Sequence, residues 1–176
     1  MTYTEPMEQA DEPRWLSNDE RDVWLTLVGV MMKLPAALDG QLQRDAGLSH
    51  FEYLVLAGLS EAPARTRRMS DLAGFTESGL PRLSQVVGRL EKRGWVNRST
   101  DPSDGRITLA TLTEEGWQKI AQTAPGHVEA VRTLVFDPLT KTQSRQLGSI
   151  GKRIMTAIDP ADRCLQSGAP ESTGTA

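Results

Sequence analysis

Residues 68–116 read RMSDLAGFTESGLPRLSQVVGRLEKRGWVNRSTDPSDGRITLATLTEEG, from Arg68 to Gly116. The order of signals here decides the fold: a short capped helix, a turn, a basic amphipathic helix ending in Lys-Arg-Gly, a strand, a charged turn and a second strand. In the longer helix, Leu83, Val86, Val87 and Leu90 recur at a spacing of three and four and predict one buried stripe. Arg82, Gln85, Arg89 and Lys92 form a polar stripe on the opposite side. Ser78 reads as the cap of this helix. Pro81 falls in its first turn, where a missing N–H costs nothing. Gly94 suits the left-handed position that ends it. Trp95–Arg98 and Ile107–Thr111 are rich in strand formers, and Asp101-Pro102 and Asp104-Gly105 are turn dipeptides between them. The expected fold class is mainly α with a small β wing, a winged helix-turn-helix.

This pattern puts cations in the two places that can enter the grooves of a duplex. Arg and Gln can make bidentate bonds to guanine and adenine edges. Arg82 and Gln85 are therefore read as base contacts, and Arg89 and Lys92, nearer the helix end, as phosphate contacts. A charged stripe alone is an ordinary solvated face. The hairpin adds Arg106 at its tip, where a guanidinium can enter a narrow minor groove. Asp104 is placed to hold that guanidinium.

The same stretch resembles the multiple-antibiotic-resistance regulator (MarR) family. The resemblance rests on Met69-Ser70-Asp71-Leu72-Ala73, on Arg89-Leu90-Glu91-Lys92-Arg93-Gly94, on Asp104-Gly105-Arg106 and on Leu112-Thr113-Glu114-Glu115-Gly116. Gly105 departs from the charged residue usual in that family and implies a more flexible wing. The DNA-binding set read from pattern and resemblance is Arg68, Ser78, Arg82, Ser84, Gln85, Arg89, Lys92, Asp104 and Arg106.

The charge distribution agrees with this reading. The 176-residue chain carries a net charge of −3. Residues 1–61 hold four basic and eleven acidic side chains, residues 62–106 nine and five, and residues 107–176 seven of each. Positive charge is thus concentrated where phosphates would be met. Arg65, Arg67 and Arg68 are read as backbone contacts that position without specifying.

Outside this stretch, Ser17–Glu20, Ser49–Glu52 and Thr140–Gln143 read as capping boxes that open helices. The first of these helices carries Val23, Trp24, Leu27, Val30, Met31, Leu34, Leu38 and Leu42, with Pro35 expected to kink or break it. The helix after Thr113 meets Pro125-Gly126, but Val128, Val131, Leu134 and Val135 resume its spacing, so one long, kinked helix or two nearly continuous ones are expected. The last carries Leu147, Ile150, Ile154 and Ile158. The expected organisation is a disordered segment (1–13), an N-terminal dimerisation helix (14–46), a winged helix-turn-helix lobe (47–116), C-terminal dimerisation helices (117–162) and a disordered tail (163–176). Neither a signal-peptide core nor a membrane-spanning run is read in the chain, so the expected location is cytoplasmic. The terminal helices have more apolar surface than one small lobe can cover. Packing against a second copy would bury it and set two recognition helices roughly 34 Å apart.

Catalysis finds no support. The chain has two histidines and one cysteine, without a Gly-rich phosphate loop, nucleophile elbow or metal-ligand pair. No cofactor or metal is expected. A single cysteine, Cys164, excludes an intrachain disulfide and reads as an incidental thiol. The functional expectation is a homodimeric, small-molecule-responsive regulator of transcription, most readily a repressor, on a pseudo-palindromic duplex site. The resemblance implies a small aromatic or amphipathic effector between dimerisation helices and winged lobe, with Met31, His50 and Tyr53 as candidate pocket residues. The alternative is a winged-helix module that organises DNA or binds protein without an effector.

Overall fold

The computed structural model describes residues 13–160. The segment before them and the tail, with Cys164, lie outside the described residues. The chain forms two compact units, Met1–Pro35 and Ala36–Ala176. Six α-helices and three strands are present among the described residues: α1 (Asn18–Ala46), α2 (His50–Ser60), β1 (Thr66–Arg68), α3 (Met69–Phe75), α4 (Leu80–Lys92), β2 (Val96–Asp101), β3 (Asp104–Leu112), α5 (Glu114–Val131) and α6 (Lys141–Ile158).

All three capping boxes form. The Ser17 backbone N–H donates to Glu20 and the Glu20 N–H to the Ser17 hydroxyl; Ser49 with Glu52 and Thr140 with Gln143 repeat the exchange. Each box satisfies two donors that a helix start leaves unpaired. The cap of α4 differs from expectation. Gly79, which has no side chain to offer, occupies the N-cap, and the Ser78 hydroxyl, one residue outside it, lies 3.0 Å from Thr76 Oγ1. The short helix α3 likewise has no side-chain cap.

Neither proline breaks its helix. Helix α1 runs unbroken through Pro35. Helix α5 runs through Pro125, with Ile120, Thr123 and His127 buried along one face on both sides of it. Packing on that face offsets the single hydrogen bond a proline removes. The irregularity falls instead at a π-helical turn, Arg132–Phe136, marked by a bond from the Asp137 N–H to the Arg132 carbonyl. The expectation of no membrane-length run is also corrected. Helix α1 holds an 18-residue window of mean hydropathy 1.3, long and apolar enough to cross a membrane by length and composition.

The sheet is antiparallel with order β1-β3-β2. The wing strands are longer than the sequence suggests, and Thr66–Arg68 adds a third, pairing Arg68 with Leu109. Beneath the sheet lies a core in which Leu42, Leu48, Leu56, Leu72, Leu83, Leu90 and Val96 are fully buried. The glycine that ends the Leu112–Gly116 motif has a steric role. A Cβ on Gly116 would run into the Trp95 carbonyl oxygen and the Leu112 side chain. That carbonyl also accepts the Thr113 N–H at 3.0 Å, so β2, β3 and the start of α5 meet at a point with room only for glycine.

Candidate nucleic-acid interface

Helix α4 divides cleanly into two faces. Leu83, Val86, Val87 and Leu90 are buried, while Arg82, Ser84, Gln85, Arg89 and Lys92 are exposed. Gly94, at φ +75°, ends the helix in the left-handed region as its lack of a Cβ allows. On the exposed face the side chains are anchored by neighbours that the sequence pattern does not reveal. The Arg82 guanidinium lies 4.4 Å over the Phe51 ring. Arg89 Nε donates to Glu52 at 3.4 Å. Arg93 donates to the Gly47 carbonyl at 3.2 Å and lies 4.0 Å from the other Glu52 oxygen. Burial would raise the Glu52 carboxyl, but the Ser49 N–H, Arg89 and Arg93 outweigh it and hold it below the usual carboxylate range.

At the wing tip, Arg106 and Asp104 are both exposed. The Asp104 carboxylate accepts the Arg106 backbone N–H at 3.0 Å, so it shapes the turn rather than holding the guanidinium as expected. Asp101, in the first of the two turn dipeptides, accepts both the N–H and hydroxyl of Ser103. These bonds lower the Asp101 pKa.

The basic run before α3 also behaves differently from expectation. Arg67 is drawn inward, its Nε donating to the Gly58 carbonyl at 2.7 Å and its guanidinium lying over Phe75. Arg65 pairs with Glu114 and lies 4.3 Å over Trp117. Arg67 ties β1 to α2 and α3, and Arg65 ties the turn before β1 to α5, instead of facing outward as free cations. Arg68 is exposed.

The candidate effector residues are only partly brought together. His50 and Tyr53 both face His127, with ring centroids 5.9 and 4.3 Å away. His127 is buried, and its Nδ1 lies 3.3 Å from Gln41 Oε1. Burial lowers both histidine pKa values; His50 depresses His127 further, while Asp39 opposes the shift at His50. Burial, then Glu61, raises that of Tyr53. Met31 belongs to the N-terminal unit, where it is about half exposed. His127 was detectable: Ile120, Thr123 and His127 follow one helical stripe.

Fold and site together define a winged helix-turn-helix protein. A family model described as "MarR family" matches residues 48–108. The DNA complex of Sco3205, a MarR family transcriptional regulator from Streptomyces coelicolor, is 46% identical in sequence, covers 89% of this chain and 98% of that one, and superposes with a TM-score of 0.82. YdcH, an HTH-type transcriptional regulator of Bacillus subtilis, is 32% identical over 88 residues; the match spans 49% of this chain and 60% of that protein, less than two thirds of its length. The transcriptional repressor MprA of Escherichia coli is 23% identical over 123 residues, 70% of this chain and 69% of its own. The chain belongs to the MarR family of transcriptional regulators.

Proposed function

We propose that this protein is a homodimeric, small-molecule-responsive transcriptional repressor that binds a pseudo-palindromic duplex site in the cytoplasm. The observation that carries the reading is the division of α4: one face wholly buried, the other presenting Arg82, Gln85, Arg89 and Lys92 together. A helix so anchored can enter a major groove without disturbing its own packing, and Arg106 on the wing reaches the adjacent minor groove. Arg68, Ser78 and Ser84 complete the contact set, and Asp104 supports it by shaping the turn. The DNA complex of the Streptomyces relative and the repressor name of the Escherichia coli relative support the same reading.

Dimerisation follows from unpartnered apolar surface. Trp24, Val30 and Met32 of α1, and Leu147, Ile150, Ile154 and Ile158 of α6, are exposed in the single chain. A second copy related by a two-fold axis covers such stripes and duplicates the reading head. The effector site is proposed around His50 and Tyr53, whose rings offer an aromatic molecule both stacking and hydrogen bonds. An effector releases DNA only by binding the DNA-incompatible arrangement more tightly, so operator DNA must weaken effector binding by the same factor.

The test is selection of bound duplexes from a random pool by the full chain, followed by mass measurement of the complex. The expected result is a palindromic consensus bound by two chains, with half-sites about one helical turn apart. Salt-sensitive binding without sequence preference would overturn the reading in favour of a DNA-organising module.

A further inference from the structure

We propose that Arg98, on the first wing strand, is a further DNA-contacting residue, and that Glu91 of the recognition helix is the residue that positions it. This rests on the duplex-binding reading above. Arg98 follows an exposed residue, Asn97, and precedes another, Ser99. Instead of extending from the strand, its side chain is turned along α4. Glu91 Oε1 accepts the Arg98 backbone N–H at 2.9 Å, and Glu91 Oε2 accepts the Nε–H at 2.7 Å and lies 2.6 Å from Nη2. Two turns earlier on the same helix, Ser84 Oγ accepts from Nη1 at 3.3 Å. The guanidinium passes beside Gly88, where an added Cβ would stand 3.8 Å from Nη2. A methyl group there would stand at ordinary van der Waals contact with the guanidinium.

The consequence is geometric. An exposed ion pair contributes little to stability, but a carboxylate gripping Nε and Nη2 fixes the guanidinium plane. One N–H on each terminal nitrogen is left over. The Arg98 side chain is about one third exposed, and with Glu91 itself, Ser84, Gln85, Gly88, Arg89 and Lys92 it lines an open groove of about 470 Å³. The groove thus receives a cation from the wing as well as from the helix. A phosphate oxygen in it can take an Arg98 N–H while Lys92 supplies a second positive charge. Glu91, although anionic and on the DNA-facing element, then favours binding by holding Arg98 in place.

The experiment compares full-length parent, Glu91→Gln and the double variant Glu91→Gln/Arg98→Gln. Affinity for a fluorescent random-sequence duplex is measured across a series of salt concentrations, with thermal unfolding of each variant. The double variant keeps the parent's net charge and a neutral hydrogen-bonding pair at the junction. Its salt slope is expected to fall by about one unit, the signature of one lost phosphate contact. Glu91→Gln removes a negative charge, so simple electrostatics would tighten binding; loss of positioning weakens it, by an expected several-fold. A double variant with the parent's slope, or Glu91→Gln binding more tightly at every salt concentration, overturns the assignment while leaving the duplex-binding reading intact. A parent that binds no duplex at any salt concentration removes both. Should either variant unfold, Arg98→Lys in the folded parent background is read instead: retained slope with reduced affinity supports a positioned phosphate contact, and unchanged affinity refutes it.

Discussion

Glu52→Gln tests how the start of α2 supports the recognition helix. Glu52 is almost fully buried, with a side chain 7% exposed. It closes the capping box with Ser49 and reaches two guanidiniums of the α4 segment, Arg89 at 3.4 Å and Arg93 at 4.0 Å. Gln also serves in a capping box, so the cap survives and the charge is lost. A hydrogen bond to a charged group contributes about 1.5–3 kcal/mol and a neutral one about 0.5–1.5. The long distances and half-exposed arginines reduce that difference through solvent screening. Against this, the new amide N–H groups face donors on Arg89 and Arg93, and a buried unpaired donor costs about 1–3 kcal/mol. The expected destabilisation is about 1–2 kcal/mol, or roughly 2–8 °C in Tm for a chain of this size. The assay is thermal unfolding at one fixed protein concentration, since association shifts Tm. It is run at neutral pH and again in acid. The fold lowers the Glu52 pKa, so its stabilisation is complete above the unfolded carboxylate range and is lost as pH falls through the folded value. Parent and variant should therefore converge in acid. Equal Tm at neutral pH, or a gap undiminished in acid, would refute the reasoning.

Arg106→Ala should weaken operator binding by about 1–3 kcal/mol with the wing intact, because the Asp104 bond is to the backbone; equal affinities at matched salt would reject the minor-groove role. Gln85→Ala should relax base preference at one position per half-site, and Lys92→Ala should weaken binding to all sequences and lower the salt slope by about one unit; an unchanged selected consensus from Gln85→Ala counts against its role. His50 and His127 both have depressed pKa values, so the stability they contribute is present above the unfolded histidine range and lost as pH falls through their folded values. With Asp39 beside His50, and Gln41 and Tyr53 against His127, His127→Gln should flatten the mildly acidic arm of the stability profile; a profile superimposable on the parent's would reject that source.

Much of the fold is legible because its signals are local. Each capping box spans only four residues, and the stripe Leu83, Val86, Val87, Leu90 is buried as its period requires. The third strand is not legible in the same way. Thr66–Arg68 has three residues, two of them arginine, and becomes a strand only because the edge of β3 is there to pair with it. Pro125 leaves one long helix or two equally open in the sequence for a related reason. A single proline removes one hydrogen bond, whereas the buried face of Ile120, Thr123 and His127 draws on tertiary packing that no local rule counts.

The site divides along the same line. Helical period alone places Arg82, Gln85, Arg89 and Lys92 on one face, and α4 exposes all four. What each cation rests on comes from elsewhere: Phe51 under Arg82 and Glu52 against Arg89 belong to α2, more than thirty residues upstream. Asp104 shows the limit at shorter range. Two residues from Arg106, it can reach either the guanidinium or the backbone N–H, and the backbone bond also closes the turn. Arg98 is the extreme case. Its seven-residue separation from Glu91 equals two helical turns, yet the two do not lie on one helix, because the chain reverses at Gly94 between them. Only that reversal lays the wing's first arginine along the helix that carries the reading face. A basic residue beyond a helix-ending glycine is therefore better judged by the last acidic residue before that glycine than by the alternation of its own strand.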